Sequence, residues 1–148
     1  MKANMLWSGL GLVAPLDARV SGRAPLSVSG MSIDTRTLNA GDLFFALKGD
    51  ANDGHDYVRM AFEKGAAAAV IDEAHASELK DAGPLYIVND VLGAMQSLGM
   101  ASRARTQASI VAVTGSVGKT STKDALALVL AEQGATHASA ASYNNHFG

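Results

Sequence analysis

The stretch VAVTGSVGKTSTKDAL, residues 111–126, runs from an apolar segment through a glycine-rich turn into a helical repeat. The four apolar residues 110–113 suit a short buried strand, and Ala125, Leu128 and Val129 make one face of a helix ending at Gly134. Strand, glycine loop and helix together are the setting of a phosphate-binding loop. Gly115 and Gly118 let backbone N–H groups turn inward, the helix start adds its positive end, and Lys119 supplies a point charge for β- and γ-phosphates. Thr120 is the expected magnesium ligand through its hydroxyl, and Ser116, Val117 and Ser121 complete the expected ATP loop. The spacing departs from GxxxxGK[ST], because Val113 stands five positions before Gly118 and the loop is the shorter GSVGKT. A plain surface turn capped by Thr120 or Ser121 is the competing reading of the same residues.

Upstream, strands and helices alternate, which is the signature of an α/β fold. LFFAL (residues 43–47), AAAAVID (66–72) and LYIV (85–88) read as buried strands. Between the first two, DGHDYVRMAFEKG places Val58, Ala61 and Phe62 at helical spacing, with Asp56 as a candidate N-cap and Gly65 as the stop. His55 is expected at the helix end, facing water. A short helix is expected over 74–80, and a longer one from Val91 to about Arg105, capped by Asn89 or Asp90. That longer helix is expected to open a second domain, with boundaries at 1–90 and 91–148. The charge supports a division there: residues 1–90 carry 8 basic and 12 acidic side chains (net −4), and residues 91–148 carry 4 and 2 (net +2).

Composition narrows the function classes. The 148 residues are 48% apolar and 18% charged, as in an average globular domain, and too few for a complete multidomain enzyme. Twelve basic against fourteen acidic residues (net −2) leave no field that would draw the chain onto nucleic acid or an anionic membrane. The absence of cysteine excludes disulfides, thiolate zinc sites and cysteine nucleophiles, and fits a reducing compartment. The uncharged stretch 3–16 after Lys2 is diluted by Asn4, Ser8, Gly9 and Gly11, too polar for a signal peptide and too short to span a bilayer. No membrane insertion is expected.

Three features, in order, resemble the Mur ligase family of ATP-dependent cell-wall precursor enzymes. SIDTRTLNAGDLFFALKGDANDGHDYVRMAFEKGAAAAVID is similar to the family's N-terminal nucleotide-sugar domain, and TGSVGKTSTKD to its ATP loop with the same shortened spacing. SYNNHFG, at 142–148, is similar to the member that joins D-alanyl-D-alanine to UDP-N-acetylmuramoyl-tripeptide, more than to siblings adding the third residue. The resemblance implies a small α/β domain holding the UDP end of the precursor, followed by the start of a P-loop NTPase-like central domain. It implies UDP contacts from Asp34, Thr35 and Arg36 and from the loop of Lys48, Gly49, Asp50, Ala51 and Asn52. Asn144 and Asn145 are expected near the phosphates and the incoming substrate. ATP and Mg2+ are the implied cofactors, the reaction passes through an acyl phosphate, and the protein is expected to be a cytoplasmic monomer.

Residue chemistry alone leaves alternatives. Asp34, Thr35 and Arg36 also read as a polar turn, 49–54 as a solvated loop, and Asn144–Asn145 as turn geometry. The family's later magnesium carboxylate, its carbamylated lysine and its amine-binding domain have no counterpart in this sequence. The polypeptide by itself is therefore expected not to ligate, and is read most simply as a fragment. A stand-alone P-loop NTPase would bind ATP without responding to uridine nucleotides, and a non-catalytic UDP-sugar module would do the reverse.

Overall fold

The computed structural model of the chain describes residues 5–50 and 52–139. Two compact units divide between Thr106 and Gln107. The first begins with β1 (Trp7–Ser8), a 3-10 turn leading into α1 (Val13–Leu16), β2 (Arg19–Ser21), β3 (Ser27–Val28), β4 (Gly30–Ser32) and β5 (Asp42–Phe45). It continues through a 3-10 turn (Gly54–Tyr57) into α2 (Val58–Glu63), β6 (Ala68–Asp72), a second turn (Glu73–His75) into α3 (Ala76–Leu79), β7 (Leu85–Val88) and α4 (Val91–Ala104). In the second unit the regular element is α5 (Lys119–Ala131).

Five strands form one sheet in the order β2-β7-β6-β5-β4, parallel throughout except for antiparallel β2 at the edge. β1 and β3 form a separate antiparallel pair. The central strands β5 and β7 are buried along their whole length, as a parallel sheet covered on both faces requires. Alternate side chains serve opposite faces. Leu43, Phe45, Val70, Tyr86 and Val88 pack with Leu12, Leu16, Val91, Ala94 and Leu98. Phe44, Ala69, Ile71, Leu85 and Ile87 pack with Val58, Ala61 and Leu79. The result is a helix–sheet–helix sandwich, in which each fully buried aliphatic or aromatic side chain contributes roughly 1.5–3 kcal/mol. The expected α/β class is what the chain adopts.

Gly65 ends α2 with φ +94, a left-handed conformation open to glycine, and its carbonyl accepts the Gly41 N–H at 2.8 Å. Asp90 caps α4 by accepting the Leu92 N–H at 3.0 Å. The expected boundary at 90/91 is not where the compact units part. α4 belongs to the first unit because Val91, Ala94 and Leu98 close one face of its core, and the division follows Thr106. Residues 110–113 form no strand, because no partner strand stands beside them among the described residues of the second unit. α5 forms where the repeat predicts it, but none of its residues is buried and Leu128 and Val129 are exposed. Among the described residues no helix is long and apolar enough to cross a membrane.

Candidate functional site

β4, β5 and β6 are parallel neighbours, so their C-terminal ends share one end of the sheet, where open α/β sheets bind ligands. The turn after β4 carries Asp34, Thr35 and Arg36. Ser32 opens it: its hydroxyl donates to the Asp34 carbonyl at 2.9 Å and accepts the Asp34 N–H at 3.2 Å. The Asp34 carboxylate then accepts the Arg36 N–H at 2.8 Å, Nε at 2.9–3.0 Å and Nη2 at 2.6 Å. Those bonds from the Arg36 side chain and amide hold the Asp34 carboxyl at about 2 against its ordinary 3.8. Arg36 is raised in turn, first by the same hydrogen bonds and then by the carboxylate's charge, with a lesser contribution from Tyr57.

Thr35 faces the other way. It is buried, its hydroxyl points to Met60 Sδ at 3.6 Å, and its carbonyl accepts Lys64 Nζ at 2.7 Å. Thus the three adjacent residues divide into an inward anchor, Thr35, and an outward ion pair. The exposed loop after β5 closes through a bridge between Lys48 and Asp53, with the Gly49 N–H donating to the Asn52 carbonyl at 2.9 Å. Gly54 N–H then donates to the Leu47 carbonyl at 2.8 Å and returns the chain to the sheet. Lys48, Gly49, Asp50 and Asn52 are therefore brought to the same sheet end as Asp34 and Arg36, while Ala51 lies outside the described residues.

His55 is not the water-facing residue expected; it is 4% exposed. Asp53, not Asp56, caps the turn, accepting the His55 N–H at 3.0 Å and lying 2.6 Å from His55 Nδ1. The same local solution recurs at the end of β6. There Asp72 accepts the His75 N–H at 3.1 Å and lies 2.6 Å from His75 Nδ1. The two imidazoles stack at 3.9 Å with planes 11° apart. Partial burial pushes both carboxyls up, but hydrogen bonds from the histidine amides and rings outweigh it and leave Asp53 and Asp72 below their ordinary value. Asp53, His55 and His75 bring possible metal-ligand atoms within 4.8 Å of one another. The signal in the sequence was the repeated pairing of an aspartate with a histidine two or three positions later, each after a strand or loop end.

In the second unit Gly115 (φ +152) and Gly118 (φ +78) both take the conformation that favours glycine, and Gly118 caps α5. Lys119 Nζ donates back across the loop to the Gly115 carbonyl at 2.5 Å, and the Thr122 N–H donates to Gly118 at 2.9 Å. A cation thus lies over a turn of exposed amides at a helix start, with open space where a Gly118 Cβ would stand. Exposed turn residues at a helix start with a lysine over them have the chemistry that suits a phosphate chain, and Thr120 follows Lys119 in the first turn of α5. Asn144 and Asn145 lie outside the described residues.

A family model described as "Mur ligase family, catalytic domain" matches residues 27–103, all within the first unit. Over 97% of its length the chain is 34% identical to the UDP-N-acetylmuramoyl-tripeptide--D-alanyl-D-alanine ligase of Rickettsia prowazekii, covering 31% of that protein. The protein of the same name from a Synechocystis strain is 40% identical over 83% of the chain and 27% of the relative. Among solved structures, the UDP-N-acetylmuramoylalanyl-D-glutamyl-2,6-diaminopimelate--D-alanyl-D-alanyl ligase of Acinetobacter baumannii superposes with a TM-score of 0.71 at 26% identity. It does so over 89% of this chain and 30% of its own. The chain spans less than a third of the length of these relatives.

Proposed function

Because the chain belongs to the Mur ligase family, whose model covers residues 27–103, we propose that it serves an ATP-dependent ligase of peptidoglycan precursor synthesis. The reaction joins D-alanyl-D-alanine to UDP-N-acetylmuramoyl-tripeptide in the cytoplasm. The first unit holds the uridine diphosphate of the precursor, and the second supplies the ATP phosphate loop. One observation carries the reading: the Asp34–Arg36 turn and the loop from Lys48 to Asp53 leave the neighbouring parallel strands β4 and β5 at the same end of the sheet.

ATP supplies the γ-phosphate that turns the precursor's terminal carboxylate into an acyl phosphate, which the dipeptide amine attacks. The chain's own contribution is positioning and charge. Lys119 leaves the Gly115 carbonyl to neutralise β- and γ-oxygens, the amides of 116–121 cradle the phosphates, and Thr120 helps hold magnesium. In the first unit the amides around Gly49 approach the diphosphate, and Asp34 and Arg36 edge the uridine pocket.

The test is a protein-observed NMR titration with UDP and, separately, with MgATP. UDP is expected to give saturable shifts clustered at 33–36 and 48–54, and MgATP at 115–121. Lys119→Ala is expected to abolish the MgATP response and leave the UDP response intact. A folded first unit silent to UDP would overturn the nucleotide-sugar reading.

A further inference from the structure

We propose that His55 is a positioning residue that clamps the 48–53 loop to the end of β6, presetting the loop for a nucleoside diphosphate. The ligand in this statement rests on the function proposed above; the clamp itself rests on the hydrogen bonds. A backbone amide can only donate, and the Asp72 N–H donates to His55 Nε2 at 3.1 Å. Nε2 is therefore bare, the one ring proton sits on Nδ1, and Nδ1–H donates to Asp53 Oδ1 at 2.6 Å. One buried ring thus ties the residue that closes the loop, Asp53, to the last residue of β6. His75 covers its face at 3.9 Å and is itself fixed by Asp72, so Asp72 serves both rings, one through its amide and one through its carboxylate.

The same proton placement argues against a metal centre at Asp53, His55 and His75. Ligation through His55 Nδ1 would drive its proton to Nε2, against the Asp72 N–H, and break a buried hydrogen bond. Both ring nitrogens are already committed. What the cluster does is hold the loop's exit in place before a ligand arrives, which removes an ordering cost from binding.

Two amide variants separate the two ends of the clamp. In His55→Asn the amide nitrogen stands near the position of Nδ1 and can still donate to Asp53, but does not reach Asp72. In His55→Gln the amide oxygen reaches the position of Nε2 and can accept from Asp72, but leaves Asp53 free. Each variant cuts one end of the clamp, so both should free the loop, whereas a merely structural role would lower global stability and leave the loop's exchange unchanged.

The readouts are amide-exchange protection of Gly49 and Gly54 without ligand, UDP affinity, and the 15N pattern of the His55 ring in the wild-type chain. Expected are an Nδ1–H tautomer, faster exchange at Gly49 in His55→Gln, and UDP affinity lower by about tenfold or more in that variant. His55→Asn, which loses the Asp72 end, is expected to show the same faster exchange and a similar loss of UDP affinity. Wild-type exchange at Gly49 and wild-type UDP affinity in either variant, an Nε2–H tautomer, or saturable Zn2+ shifts at His55 and His75 would each overturn the clamp. If the wild-type chain ignores UDP, the nucleotide reading fails, while the tautomer and the exchange rates still decide the clamp.

Discussion

Gly54→Ala should unseat the 48–53 loop by steric means alone. Gly54 is not in the left-handed region, so a side chain there meets no backbone strain; what it meets is space already filled. A Cβ would stand 2.6 Å from both the N and O of Leu47 and 2.7 Å from the Ala46 carbonyl carbon. All three atoms are main chain at the exit of β5, which is held between β4 and β6 and cannot yield as a side-chain tip would. Overpacking of this kind costs about 1–3 kcal/mol, and displacing the turn also loses the Gly54-to-Leu47 hydrogen bond, about 1 kcal/mol. The sum, about 2–4 kcal/mol, is a large part of a domain's total of roughly 5–15 kcal/mol. At about 4–8 °C per kcal/mol for a unit near 100 residues, Tm falls by roughly 10–30 °C. Gly49→Ala is the matched control, since its Cβ would lie 3.6 Å from the Asn52 carbonyl, an ordinary contact. Urea unfolding followed by Trp7, the single tryptophan, reads the first unit, because its ring packs in that core under the Arg105 guanidinium at 3.8 Å. A Gly54→Ala midpoint within about 0.5 kcal/mol of wild type would refute the reasoning.

Asp34 should titrate near 2 by carboxyl 13C NMR, and return towards 3.8 in Arg36→Gln. Since its folded value is depressed, the pair's contribution to stability is present above about pH 4 and lost as the pH falls through 2; it is small, because Arg36 is 86% exposed and screened by water. Tyr86→Phe should cost about 0.5–1.5 kcal/mol by removing the phenol's hydrogen bond to the Gly9 carbonyl at 2.7 Å, since that carbonyl keeps the Leu12 N–H at 3.2 Å. Burial raises the Tyr86 phenol above 10, so wild-type stability should fall as the pH climbs past 10, and the variant should lose that alkaline dependence in pH-resolved urea melts.

Strands β5, β6 and β7 were legible because each is a compact apolar run closed by turn residues, whereas the two- and three-residue strands β1 to β4 carry no such run. LFFAL, AAVID and LYIV need no distant information to be recognised, and Gly65 carries its stop in its own backbone freedom. The run 110–113 has the same local character and forms no strand, because a strand exists only beside another and pattern cannot supply the neighbour. The unit boundary was misplaced for a related reason. The charge change at Asp90 is real, but whether α4 belongs to what precedes or follows depends on which core Val91, Ala94 and Leu98 close. Burial of His55 was illegible one residue at a time: only the juxtaposition of a loop end with the end of β6 gives both ring nitrogens a partner.

The turn after β4 shows how far a residue type misleads about its role. Read singly, Asp34 is a hydrogen-bond partner for uracil or ribose, and Arg36 a paired donor for an anion. Together they satisfy each other first, with the carboxylate taking the Arg36 amide, Nε and one Nη2 proton. A guanidinium has five N–H donors, so the edge bearing Nη1 remains available, now held in a fixed plane. Asp34 is then an orienting group for Arg36 and also cancels most of its charge, which leaves Arg36 able to recognise geometry but weak at attracting a dianion. The attraction must come from elsewhere at that end of the sheet: exposed Lys48 and the amides of the loop it closes with Asp53. On the proposed reading, an Arg36 fork oriented and charge-balanced by Asp34 stands beside a loop that offers Lys48 and its amides but is net −1 through Asp50 and Asp53, so the order of that loop, more than its charge, is the quantity on which recognition turns.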